Sequence, residues 1–421
     1  MTSFGGLVRE VAPHGLLSLS DQLVLYTSHP GALFLDQTVE DALGGEGWGV
    51  RRQAAFESSH ALLASVCADL GLVRPEERLD LALELFGALG HGKLTFEVNA
   101  EGGRVRGEHL HYGGSFREKY GAQPKRKRPV DAFAAGYVAA AASVAFPSDW
   151  GTFEADEVEC VARGDPGCGF VLARRPERPR IGQVITRAAA ETAAIGAAAE
   201  GSSGRAAMTS AGVARMLGAL AADERGTVRA FGVRLALLPV SYVSQITFDT
   251  MHLVEKRSPE LSPVFMTLVR ESAQSSGFHL LGGVLASSEW MSEHGLPARD
   301  AETSLEQLLG VARALGWGAL HTEELVPGKT MRLSCAMTHE SVYYAVRHDR
   351  TVRNRLAFMQ GVALALMQLL HRVDFRSERP IVGDTYAALF KSGTKWHVDE
   401  TRSPLRGDDV CEVSVEALAE R

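Results

Sequence analysis

The sequence predicts a mixed α/β chain of the α+β kind: two tandem copies of a helix and antiparallel-sheet unit, joined by an Ala-rich, partly helical linker. Three observations carry that expectation. The chain has 421 residues, 45% of them hydrophobic, which is too long for one ordinary core and suits two. A series of short motifs runs in the same order through both halves. The strand-like segments come in pairs broken by Gly turns, as antiparallel hairpins require. The expected boundaries are 1–175 for the first copy, 176–229 for the linker and 230–421 for a second, degenerate copy.

In chain order, a helical pattern "ERLDLALELFG" (Glu77–Gly87) leads to the corner "ALGHGKL" (Ala88–Leu94); "TSLEQLLGVAR" (Thr303–Arg313) leads to "ALGWGAL" (Ala314–Leu320). Each corner opens a pair of strand-like runs, "KLTFEVNAEGGRVRGEHLHY" and "ALHTEELVPGKTMRLSCAM". A basic stretch and a long apolar helix follow, with Gly136 in the first copy matching Gly361 in the second. Each copy closes with a strand, a Gly-Asp turn, a Cys and a last strand. The longer path to that hairpin in the second copy, through "HRVDFRSERPIVGDTYAALFKSGTKW", reads as a loop insertion, where length is cheaply tolerated. Between the copies, "ARRPERPR" suits an exposed, semi-extended linker. The Ala-rich sequence after it suits two helices interrupted at "EGSSGR".

Composition narrows the function. A net charge of -7 gives no global attraction to nucleic acid, so no nucleic-acid partner is expected. The longest apolar runs, Ala132 to Phe146 and Gly361 to Leu370, are shorter than the ~18 residues of a membrane span. They read as buried helices. Five scattered cysteines and no leader-like start imply a reducing cytoplasm. No nucleophile elbow, phosphate loop or dinucleotide fingerprint is present, so catalysis is not expected.

The chemistry-bearing stretch is "EADEVECVARGDPGCGF" (Glu154–Phe170). On spacing alone Cys160 and Cys168 read either as two half-buried thiols on a hairpin, the commoner case, or with Glu157 as part of a metal site. An ideal hairpin places Cys168 opposite Arg163, so an unstrained disulfide is not expected. The basic run Lys125, Arg126, Lys127 and Arg128, just before a helix start, could hold an anion or be a solvated face. Arg350, Arg353 and Arg355 sit similarly in the second copy.

That closing motif resembles the ending of the four-vinyl-reductase-like family of small-molecule-binding domains. The family includes a bacteriochlorophyll-synthesis accessory protein and the aromatic-sensing domains of phenol- and xylene-responsive regulators, and its fold is similar to that of TRAPP vesicle-tethering subunits. The resemblance implies a zinc site of Glu, Cys and Cys plus a further Cys from just after the long helix. Glu157, Cys160 and Cys168 match in the first copy, without a counterpart for the further Cys. In the second copy Glu400 and Cys411 match, and Ser403 replaces the first Cys. Zinc is therefore expected, if anywhere, in the first copy, with His109 or His111 as a substitute ligand.

The resulting expectation is a non-catalytic binding or sensory protein. An apolar pocket for a small hydrophobic or aromatic molecule would be lined by His109, His111, Tyr137, Ala140, Trp317 and Gln360. The small-residue helices "AAGYVAAAAS" and "MQGVALALMQ" allow close packing around such a pocket. "EHLHY" alternates, which sets both histidines on one strand face. Output would pass through a protein partner, with homodimerisation a further option. The alternatives are an interaction scaffold with vestigial pockets and an accessory protein of tetrapyrrole metabolism.

Overall fold

The computed structural model describes residues 8–11, 14–121, 126–148, 151–176, 186, 204–376, 381, 383–391 and 394–418. The first half runs β1 (Val8–Val11), β2 (Leu16–Leu19), β3 (Gln22–Ser28), α1 (His29–Leu43), α2 (Gly45–Asp69) and α3 (Pro75–Ala88). It continues through β4 (Leu94–Val98), β5 (Gly102–Gly107), α4 (His111–Tyr120), α5 (Ala132–Ala145), β6 (Thr152–Glu159) and β7 (Cys168–Arg175). The second runs α6 (Gly204–Ala219), β8 (Val228–Ala230), β9 (Val233–Pro239), α7 (Val240–Arg257), α8 (Ser262–Leu285), α9 (Ser288–His294) and α10 (Ala301–Ala314). After these come β10 (His321–Val326), β11 (Thr330–Cys335), α11 (His339–His348), α12 (Ala357–Arg372), α13 (Gly383–Lys391), β12 (Trp396–Arg402) and β13 (Cys411–Ala417). Helices and antiparallel sheets mix, as the α+β expectation requires.

Two outer sheets have the same connectivity, β4-β5-β7-β6 and β10-β11-β13-β12, and each carries a bulge at the same point, after Glu157 and after Glu400. Strand β6 alternates buried and exposed residues because one sheet face meets solvent. The third sheet, β1-β2-β3-β9-β8, takes strands from both halves. Its central strands β3 and β9 pair antiparallel, Tyr26 opposite Leu237, and read as nearly unbroken buried runs because helices cover what the neighbours leave. The Gly-His-Gly and Gly-Trp-Gly corners lock this sheet crosswise. Leu237 N–H donates to Leu89 O, and His91 Nε2 to Leu237 O (3.0 Å). In return Tyr26 N–H donates to Leu315 O, and Trp317 Nε1 to Tyr26 O (2.9 Å). Each half's corner thus holds the other half's central strand, so the halves share backbone hydrogen bonds rather than merely touching.

The long apolar helices α5 and α12 are buried almost all round, which explains their lack of a polar face. α5 crosses α2 where Gly136 sits: a Cβ there would lie 2.4 Å from Arg52 O and 2.5 Å from Ala55 Cβ. Gly361 meets α8 the same way, 2.3 Å from Arg270 O. Backbone oxygens cannot rotate aside, so Gly136→Val is expected to force the helices apart. The expected loss is about 1–3 kcal/mol, read as a lower urea midpoint; an unchanged midpoint would show that the crossing is not tight.

Three sequence expectations need revision. "EHLHY" is not a strand: β5 ends at Gly107, where an added Cβ would meet Leu110 Cδ2 at 2.4 Å, so the chain turns there to tuck in Leu110. His109 lies half-buried in that turn and His111 opens α4, so they do not share a strand face. The insertion of the second half contains α13. The expected linker is partly integrated: α6 packs on α10, with Val213 and Leu217 buried, and β8 begins at Val228. The first Ala-rich stretch of that linker lies outside the described residues, as does Lys125.

Candidate metal centre and ring cage

The sulfur hairpin owes its shape to its Gly-Asp turn. Gly164 adopts a left-handed φ of 98°, and Asp165 Oδ2 accepts from Cys160 N–H (2.8 Å), which turns Cys160 inward. Gly407 and Asp408 repeat this around Ser403. The turn is therefore fold chemistry, common to both halves, and the sulfur is separate from it. Cys168 begins β7 beside Gly107 of β5.

Around these sulfurs the structure brings Asp131, Glu157, Cys160 and Cys168 together, all buried, with ligand atoms within 4.8 Å of one another. Asp131 stands at the N-terminus of α5. Its Oδ1 accepts from Gly113 N–H (3.1 Å) and its Oδ2 from the Cys168 thiol (3.0 Å). A Cβ at position 113 would come 2.6 Å from Asp131 Oδ2 and 3.2 Å from Cys168 Sγ, so only glycine fits there. Glu157 Oε2 accepts from Asp131 N–H (2.9 Å), while its Oε1 is buried without a partner.

Burial pushes the Asp131 carboxyl up to about 6 and Glu157 well above the carboxylate range. A hydrogen bond with Cys168 draws the Cys160 thiol down to about 7 and pushes Cys168 up. The group is thus four acidic donors in one dry space. The orphaned Glu157 oxygen and the two-sulfur, two-oxygen donor set both fit a tetrahedral divalent ion such as zinc. The fourth donor comes from the residue ahead of the long helix, not from a cysteine after it. Neither His109 nor His111 joins the group.

In the second half Leu356 stands where Asp131 does and Ser403 where Cys160 does. Glu400 Oε2 accepts from the N–H groups of Arg355 and Leu356, and Ser403 Oγ from Leu405 N–H. Cys411 faces Cys335 across β11 and β13, where the first half has Gly107. Among the described residues only the first half gathers a metal-ligating group.

A second buried cluster lies beside the first. His91 sits 4.5 Å from Phe133 and 6.1 Å from His111 between ring centroids; Phe86, Tyr112, Tyr137 and Tyr242 complete the cage. Tyr137 OH donates to Ala82 O (2.7 Å). Because Leu237 O can only accept, His91 Nε2 carries the proton and its buried Nδ1 is an unpartnered acceptor. Both ring nitrogens of His111 are buried without partners, and burial drives its pKa well down, so it is neutral. The matching positions of the second half, Trp317, His339 and Phe358, are also packed rings.

Of the expected pocket residues, His111 and Tyr137 are in the cage and Ala140 is buried on the same helix. Trp317 is in its second-half counterpart. Gln360 lines a separate groove of about 190 Å³ between α8 and β12, and His109 stays in its turn. Of the basic run, Arg126 is ion-paired to Glu40, while Lys127 and Arg128 are exposed. Arg353 and Arg355 are both held by Glu255. A groove of about 410 Å³ between α2, α5 and β6 opens to solvent, but Arg52 and Arg175 at its rim are committed to Glu154. Several residues of these clusters escaped the sequence reading, Asp131 and His91 foremost. Asp131 was detectable as the acid directly before the long helix, and His91 as the variable residue of the repeated corner.

Among the described residues, no helix is long and apolar enough to cross a membrane. No family model matches the chain, and no curated protein matches it. Among solved structures the chain is similar to the phenol-responsive sensory domain of the transcription activator PoxR, solved with phenol. The two are 22% identical, with 41% of this chain and 86% of that one covered and a TM-score of 0.34.

Proposed function

We propose that the protein is a non-catalytic binding or sensory protein that takes a small aromatic molecule in the first half's ring cage, with zinc as a structural tie next to it. The observation that carries this reading is His111: a buried, neutral imidazole with two unpartnered nitrogens, against the rings of His91 and Tyr112 at the edge of the aromatic cluster. Such a group is costly unless something hydrogen-bonds to it, and the rings suit a flat apolar body. Zinc held by Asp131, Glu157, Cys160 and Cys168 would supply cross-linking only. It would join the start of α5 to the hairpin and so fix α4, which carries His111. Output through a protein partner suits a chain whose second half has the packing surfaces but lacks the metal donors.

Calorimetric titration with phenol tests the reading. Wild-type protein is expected to bind it, and His111→Phe, which preserves the ring but removes both nitrogens, to weaken binding about tenfold or more. Ala140→Trp, which fills the helix surface, is expected to abolish it. No uptake of any simple aromatic compound would overturn the reading.

A further inference from the structure

The cage does not end in rings. Along one face of α4, at spacings of three and four residues, lie His111, Gly114 and Ser115. Ser115 is fully buried and its Oγ has no partner, although helical serines readily bond back to the preceding turn. Packed against Gly114 is Arg234, from β9 of the other half. A Cβ at 114 would lie 2.6 Å from Arg234 Nη1, so the glycine makes room for the guanidinium. Arg234 is 6% exposed; its Nε and Nη2 donate to Glu118 (3.0 and 2.6 Å), while Nη1 is buried without a partner. Three neighbouring residues therefore leave donors unused in one buried place, where each would normally be satisfied.

Charge points the same way. Glu118 also pairs with Arg229, so two guanidinium groups share one carboxylate and the trio has one positive charge in excess. Arg229 and Glu118 are partly exposed, Arg234 is nearly buried and His111 fully so. The positive charges are thus graded in depth, from partly exposed Arg229 to nearly buried Arg234 beside α4. His29 borders Arg234, accepting from its N–H through Nδ1. Among the described residues the second half has nothing equivalent: Val342 and Tyr343 stand where Gly114 and Ser115 do, and β3 offers Leu23 in the place of Arg234.

We infer that the ligand of the first half carries a carboxylate head on its aromatic ring, bound by Arg234 Nη1, Ser115 Oγ and His111, so that the second half supplies the specificity-determining residue. This rests on the ring-cage reading and goes beyond it. A phenol hydroxyl can accept at most two of the three donors, whereas a carboxylate can accept all of them.

The test is calorimetric titration of the full chain with sodium benzoate and with phenol. Benzoate is expected to bind at least about tenfold more tightly than phenol, the margin of one charged hydrogen bond. Arg234→Met is expected to erase that preference, because benzoate loses its charged hydrogen bond and phenol, which can use the two remaining donors, loses less. Ser115→Ala, which leaves the Arg234–Glu118 pair intact, is expected to weaken benzoate about threefold to tenfold and keeps the test valid should Arg234→Met fail to fold. Phenol binding as tightly as benzoate, or benzoate indifferent to both substitutions, would overturn the inference and leave the ring cage standing. If neither probe binds, both fall.

Discussion

Cys168→Ser is expected to empty the metal centre and lower the stability of the whole chain. One of two sulfur donors is lost, and with it the thiol that meets Asp131. Zinc affinity should drop well beyond the tenfold to hundredfold typical of residues that only orient a ligand. Removing zinc from wild-type protein with a chelator should reproduce the same fall in melting temperature, because folding and metal binding are one equilibrium. The chelator should do nothing further to Cys168→Ser. Asp131→Cys in the otherwise wild-type chain, which adds a third sulfur, is expected to tighten binding. The thiols and carboxyls must lose their protons to bind zinc, so affinity should weaken as pH falls through 7 and then 6, where Cys160 and Asp131 take protons up. Equal zinc content in wild type and Cys168→Ser would place the metal elsewhere or nowhere.

Arg51→Met is the second large expected effect. Arg51 is 1% exposed and ion-paired with both Asp36 and Glu40, at the packing of α1 on α2. Methionine leaves two carboxylates in the core with one outer cation, Arg126, on Glu40. Breaking such a group typically costs about 3–5 kcal/mol, a large share of any domain's net stability. The sign of the pH dependence follows from Asp36, whose carboxyl burial already holds at about 7 despite Arg51. Without its partner that value rises further. The folded state then binds a proton that the unfolded state has released, so stability is recovered as pH falls towards the unfolded value and lost as it rises. Urea unfolding at pH about 7.5 and about 5 checks this: the deficit should shrink at the lower pH. A midpoint equal to wild type at the higher pH would mean that the triad is solvated.

The α+β class was legible because period and punctuation are local: Gly turns, alternating strands such as β6, and apolar helices without a polar face. The shared sheet was not. β3 and β9 are more than two hundred residues apart, and their nearly continuous hydrophobicity could equally have belonged to buried strands within each half. Alternation misled at "EHLHY", where five residues are too few to tell a strand from a turn and where the packing of Leu110 over Gly107 decides. In the metal group, Glu157, Cys160 and Cys168 were visible from the hairpin alone. Asp131 was not, because it lies outside the hairpin at the head of α5, and only the fold brings it against the sulfurs. Arg234 could not be foreseen, since its meaning depends on Gly114 across the junction of the two halves.

The two halves are asymmetric: the first gathers the metal-ligating group and His111, and the second contributes packing and Arg234. Native mass spectrometry of the chain purified without chelator and then mixed with benzoate tests this asymmetry most directly. We predict one zinc and one benzoate per chain, both lost on denaturation. Two zinc ions would contradict the loss of donors at Leu356 and Ser403, two benzoates would contradict the replacement of Gly114, Ser115 and Arg234 by Val342, Tyr343 and Leu23, and none of either would contradict the site itself.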